Sequence, residues 1–102
     1  MSAIKEIEAE RRRQIEVEGW SVEHDDKYRH DELATAAACY AAPEAVYWGP
    51  ALSRATLEWP WVAQWWKPSD GKRGRPLDRR RDLVKAGALI LAEIERLDRA
   101  AK

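Results

Sequence analysis

Between Asp78 and Ala101, the positions Leu83, Gly87, Ile90, Ile94, Leu97 and Ala101 recur at alternating steps of four and three, with Val84 and Leu91 widening the stripe. This spacing predicts an amphipathic helix of about six turns whose stripe faces the core. Asp78, two residues after Pro76, is placed to cap its start. Gly87 costs roughly 1 kcal/mol relative to alanine in mid-helix unless a neighbour needs the space, so a helix crossing is expected there.

Earlier in the chain the stripes are thinner. Ser2 to Glu18 contains good helix formers and no Pro or Gly before Gly19, which suits the left-handed residue that ends a helix. Ile4, Ile7 and Ile15 share one face, so this helix is expected to be largely solvated and to need a partner surface. Trp20 to His30 reads as a loop with too much charge to be core. From Asp31 to Ala42 an alanine-rich run predicts a second helix that a neighbour can approach closely, hence a central element. Residues 43–77 are broken by proline and glycine, with a short helix compatible with Ala51–Glu58. The expected fold is all-α: one domain of three main helices, with a Trp/Pro-rich irregular insertion between the second and third.

Composition sharpens this picture. Of 102 residues, six are tryptophan and none is phenylalanine, and five of those indoles fall within 43–77, so the insertion is expected to pack rather than trail. At this length about two-thirds of the unfolded surface is buried, and assembly into a homo-oligomer would supplement the core. The single Cys39 excludes an internal disulfide and a multi-cysteine zinc site, and points to a reducing cytoplasm. No leader pattern and no apolar run of spanning length is present, so neither secretion nor membrane insertion is expected.

Net charge is zero, yet residues 1–42 hold ten acidic and six basic groups while residues 67–102 hold six and eleven. The two ends are therefore complementary, within one subunit or between subunits.

Three constellations carry candidate chemistry. Trp59-Pro60-Trp61 and Trp65-Trp66-Lys67-Pro68, preceded by Tyr47 and Trp48, offer stiffened rings on which a base can stack; the competing role is core or interface packing. Neighbouring Trp65 and Trp66 cannot both point inward from an extended segment. Lys67, Lys72, Arg73, Arg75, Arg79, Arg80, Arg81 and Lys85 form a basic run suited to phosphate, against the commoner role of a solvated face. Three arginines in a first helical turn oppose the helix dipole unless an anion or acidic partner offsets them. Glu23-His24-Asp25-Asp26 and His30-Asp31-Glu32 are dense enough in oxygen and imidazole groups for His24, Asp25, Asp26 and Asp31 to be weighed as a Mg²⁺ or Mn²⁺ site. The same acids have a structural role open to them, pairing with arginines or starting the second helix. No His-Glu-x-x-His, calcium loop or nucleophile turn is present, and zero net charge disfavours duplex nucleic acid.

The stretches Glu10-Arg11 to Gln14-Ile15, Glu18-Gly19-Trp20, Glu23-His24-Asp25-Asp26, Glu32-Leu33-Ala34, Trp59-Pro60-Trp61, Trp65-Trp66-Lys67-Pro68 and Arg80-Arg81-Asp82-Leu83-Val84-Lys85-Ala86-Gly87-Ala88-Leu89 resemble a family of small proteins encoded by tailed phages and prophages. The resemblance implies an accessory protein of the host cytoplasm. Phage proteins of this size include oligomeric sponges that sequester nucleotide signals of bacterial defence, and tryptophan with arginine suits such a ligand by analogy. The all-helical MazG-like nucleotide pyrophosphohydrolases are similar in size and helical character, and bind Mg²⁺ through Glu-x-x-Glu and Glu-x-x-Asp. Here the second helix offers only Asp31 and Glu32, the last offers Asp82 and Glu93, and Glu95-x-x-Asp98 falls at its end.

The leading expectation is therefore non-catalytic binding of a small phosphorylated ligand of nucleotide type, with no cofactor. Trp59, Trp61, Trp65 and Trp66 would meet the base. Lys67, Arg79, Arg80, Arg81 and Lys85 would hold phosphate, with Trp20, His24, Asp25 and Asp26 orienting them. The alternatives are metal-dependent hydrolysis and docking of a host protein on the indoles.

Overall fold

Four α-helices organise the residues described by the computed structural model, 2–43, 57–71 and 74–101: α1 (Ala3–Glu16), α2 (Val22–Asp25), α3 (Glu32–Ala41) and α4 (Arg79–Ala100). No strand occurs among these residues, so the fold is mostly helical. The expected Ala51–Glu58 helix lies largely outside the described residues, as do Tyr47, Trp48, Lys72 and Arg73.

Capping sets several helix ends. The Ser2 hydroxyl accepts from the Lys5 amide at 3.2 Å, and the Asp78 carboxylate accepts from the Arg81 amide at 3.0 Å. Past the end of α1, Gly19 takes φ +77°, and the Trp20 amide donates back to the Gln14 carbonyl at 2.9 Å. That reversal feeds directly into α2, whose cap is Ser21, its hydroxyl accepting from the His24 amide at 3.1 Å. The expectation of an irregular 20–30 segment too charged for the core is thus corrected: it holds a helical turn, and Asp25 within it is fully buried.

The core forms where α3 packs on α4. Leu33, Ala36, Ala37, Cys39 and Tyr40 meet Ala86, Leu89 and Ala92, and Trp66 closes the end. Alanines on both helices permit the close approach that the composition of α3 suggested. The buried face of α4 is nevertheless not the one its strongest stripe predicts. Val84, Ala86, Ala88, Leu89 and Ala92 are buried, whereas Leu83 (45%), Ile90 (50%), Ile94 (53%) and Leu97 (52%) remain half-exposed on the opposite side. Two small faces can pack closely without voids, whereas a Leu/Ile ridge would hold the alanines of α3 apart from α4.

α1 joins α4 mainly through charge. Glu6 takes a two-pronged contact from Arg80, one prong at 2.8 Å; Arg81 reaches Glu10; and Arg11 donates to Glu95 at 3.2 Å. The residues of α1 that are buried are Glu10, Arg11 and Gln14, while Ile4 is exposed. The expected crossing at Gly87 is present: a Cβ there would lie 2.9 Å from Ile7 Cδ1, so the isoleucine fills the missing side chain's place. The acidic and basic ends of the sequence therefore meet within one subunit. Asp26 adds a further pair, with Arg99 at 2.7 Å.

Residues 57–71 and 74–77 lie between α3 and α4. Ala63–Trp65 form a 3-10 turn. The Ser69 amide donates to the buried carboxylate of Asp82 at 2.7 Å, the Asp78 amide to the Ser69 carbonyl at 2.7 Å, and Asp70 and Leu77 form an antiparallel bridge. Gly71 and Gly74 both take positive φ, a conformation that favours glycine.

Candidate ligand cleft

Aromatic rings run continuously from α2 to α3. His24 contacts Tyr28 edge-on at 5.3 Å, Tyr28 lies 5.5 Å from Trp61, Trp61 touches Trp20 (5.4 Å) and Trp59 (5.2 Å), and Trp59 and Tyr40 both meet Trp66, each at 4.9 Å. Only part of the cluster is open. Trp66 is buried (2% exposed), Trp59 and Trp61 are half-buried, and Trp65 is 40% exposed. The divergence of Trp65 and Trp66 follows from their adjacency. Trp59 Nε1 donates to the Val62 carbonyl at 3.0 Å, while Trp66 Nε1 has no partner among the described residues.

Between Trp20 and Trp65 opens a cavity of about 260 Å³, edged by Glu18, Gly19, His24 and Lys67. A smaller recess of about 50 Å³ shares Trp20, Trp65, Lys67 and Glu18, and reaches Glu10, Arg13, Gln14, Tyr40 and Lys85. Arg13 holds both acids, with Glu10 and Glu18 each at 2.9 Å. Burial pushes the Glu10 carboxyl up, but Arg13 and Arg81 outweigh it and hold Glu10 below the usual glutamate range. Its neighbour Gln14 donates to Glu10 at 3.2 Å, and Gln14 Oε1, fully enclosed, has no partner among the described residues. A buried carbonyl left without a donor is costly, and this one borders the recess.

Two lysines are the cations of the cleft not committed to carboxylates. Lys85 Nζ donates to the Lys67 carbonyl at 3.1 Å and sits 5.4 Å from the centre of the Tyr40 ring. Burial, with nearby Arg81, pushes its ammonium below the usual lysine range, so an arriving anion would find a poorly hydrated positive charge. The Tyr40 hydroxyl accepts from the Lys67 amide at 3.3 Å, which anchors the segment carrying Lys67; burial moves that phenol up to about 12.

The cleft gathers Trp20, His24, Trp65, Lys67 and Lys85 from the residues singled out in the sequence. The expected phosphate arginines are used otherwise. Arg79 donates to the carbonyls of Tyr40 (3.4 Å) and Ala41, closing the C-terminus of α3, while Arg80 and Arg81 hold Glu6 and Glu10. These carbonyls and carboxylates are the acidic offset that three arginines in a first helical turn require.

The acidic loop also divides. Asp25 takes a 2.9 Å ion pair from Arg11, a side chain that also binds the Trp20 carbonyl at 3.5 Å. Burial raises the Asp25 carboxyl against the pull of Arg11 and His24. His24 spends its ring nitrogens on Asp25 (3.4 Å) and the Tyr28 hydroxyl (3.3 Å). Asp26 turns to Arg99, and Asp31 begins α3 without a side-chain cap. Among the described residues no three His, Cys, Asp or Glu side chains converge as metal ligands, so His24, Asp25, Asp26 and Asp31 are not brought together as a site. Gln14, Tyr40, Glu10, Glu18 and Arg13 are the cleft residues that sequence reasoning missed.

No family model, curated protein or solved structure matches this chain. No helix among the described residues is long and apolar enough to cross a membrane.

Proposed function

We propose that this protein binds, without turning it over, a small phosphorylated ligand of nucleotide type in the Trp20–Trp65 cleft. The ring of the ligand would lie against the two indoles and its anionic edge on Lys67, with Lys85 beside it in the adjoining recess. The observation that carries this reading is the cavity between the half-open indoles of Trp20 and Trp65, with Lys67 at its edge and Lys85 in the adjoining recess, two ammonium groups that no carboxylate holds. At about 260 Å³ the cavity falls just below the roughly 300 Å³ at which ligand pockets usually begin, which favours a single base and its phosphate over a larger oligonucleotide.

The same proposal includes a homo-oligomer, the whole 43–77 excursion as one packed insertion, and work in a reducing cytoplasm. Supporting the last point, Cys39 is free and buried, and burial pushes its thiol up to about 11. The biological role that fits is a phage-type accessory protein that sequesters a nucleotide signal.

Calorimetry and tryptophan quenching with a panel of linear and cyclic nucleotides test the binding. Quenching that Trp65→Ala removes, with the nucleotide recovered intact, supports the proposal. No heat and no quenching by any member overturns it, as does binding unaffected by both Trp65→Ala and Lys85→Ala.

A further inference from the structure

The geometry points to a second copy of this chain as the partner of the outer face of α4, packed antiparallel about a two-fold axis at Ile90. This rests on the homo-oligomer reading and names its surface. Leu83, Ile90, Ile94 and Leu97 are about half-exposed, and together with Gly87 and Ala101 they keep strictly to steps of four and three. A 3.5-residue repeat keeps a stripe facing a partner helix along its whole length. Among the described residues the core takes the opposite side of the helix, and α1 covers the stripe at Gly87 through Ile7 while leaving its four large members half in solvent.

The stripe is self-complementary. In an antiparallel pair centred on Ile90, each Leu83 faces the other copy's Leu97, Ile90 faces its own counterpart, and Ile94 meets Ile7, the side chain that already fills the space at Gly87. Arg80, which holds Glu6 of its own subunit, and Asp98 lie along the same edge of the stripe, and the two-fold brings the partner's Asp98 up to that guanidinium as a second carboxylate. Both are exposed. Glu93, on the other edge, is bound by Arg96 of its own helix and meets no like charge at the centre. Antiparallel helices also oppose their dipoles, and zero net charge leaves no long-range repulsion to overcome.

Area argues for more than one helix in the contact. From Leu83 to Leu97 the stripe is about 21 Å long, and a stable dimer buries about 800 Å² on each side. The flank is at hand: Leu91 and Asp98 also line a groove of about 520 Å³ between α1, α2 and α4, walled on its far side by Ile15 and Val22.

Light scattering coupled to gel filtration, with engineered cysteines, tests this. The wild-type chain is expected to be a dimer at tens of micromolar, and Ile90→Glu, which sets two carboxylates face to face, to weaken it at least about 30-fold with helical circular dichroism unchanged. Under mild oxidation Ile90→Cys should cross-link to itself. Leu83→Cys should not, but should cross-link to Leu97→Cys when the two are mixed. A wild-type monomer overturns both the oligomer reading and this interface. An oligomer that Ile90→Glu leaves intact overturns the interface alone, and self-cross-linking by Leu83→Cys overturns the antiparallel register.

Discussion

α4 presents two unlike faces. The inner one is built from Val84, Ala86, Ala88, Leu89 and Ala92 and is buried; the outer one, with Leu83, Ile90, Ile94 and Leu97, is richer in large aliphatic groups and half in solvent. Hydrophobicity alone ranks them the wrong way round. What decides burial is fit: the alanines of α3 need a small counterpart, and a face of alanines with one leucine supplies it. The larger side chains are left for a different contact.

Adjacent residues test that contrast most sharply. Leu89→Ala should cost about 2–5 kcal/mol in urea unfolding, whereas Ile90→Ala, measured where the chain is monomeric, should cost less than about 1 kcal/mol, since only half its surface is buried. Equal losses would break the distinction. Next in size, Ala88→Leu adds bulk where there is no room and should destabilise by about 1–3 kcal/mol, although it makes the inner face more apolar. A gain in stability would show that hydrophobicity, not fit, governs the face.

Smaller again is the acid response of the α1–α4 contact, which is ionic rather than apolar. The Glu10 carboxyl is held below its ordinary value of 4.5, so in the unfolded chain it binds a proton more readily than in the fold. The stability it contributes is present above about pH 4.5 and is lost as pH falls through the lower folded value. Glu10→Gln should flatten that part of the acid unfolding profile; an unchanged slope would remove Glu10 from the account. The smallest effect is expected at Gly87, where Gly87→Ala gains about 1 kcal/mol of helix propensity and spends most of it displacing Ile7. A net change in melting free energy within about 0.5 kcal/mol is expected, and a large loss would mean that Ile7 cannot move.

Helix positions were legible because they depend on local chemistry: Ser2 and Asp78 cap, Gly19 ends a helix, and the Ala-rich run after Asp31 has little else to do. Faces were less legible. The packing of α3 on α4 is a relation between two segments nearly fifty residues apart, and no single-helix pattern contains it. α2 was missed because one turn has no periodicity to detect, and its burial of Asp25 depends on Arg11, which lies on another helix. The cleft was half visible. Tryptophan and lysine in a proline-stiffened segment mark Trp65 and Lys67, and Lys85 belongs to the basic run. Gln14 carried no signal: a glutamine directly after three arginines on a thin-striped helix looks solvated. Arg79, Arg80 and Arg81 read as free cations because their partners, the end of α3 and the acids of α1, are far away in sequence.

Arg11 has a consequence for how the molecule opens. Its guanidinium touches Asp25 in α2, the Trp20 carbonyl and Glu95 in α4 while itself being almost wholly buried. Peeling α1 away would strand Asp25 as a buried anion without its cation, a far greater penalty than the thin apolar stripe of α1 implies. The first helix is thereby locked into the same cooperative unit as the last, and backbone amides at Gln14 and Trp20 should exchange with solvent on the timescale of global unfolding rather than fraying early. One side chain thus fixes where the protein can breathe, and the wall of the cleft formed by Trp20 is not among those places.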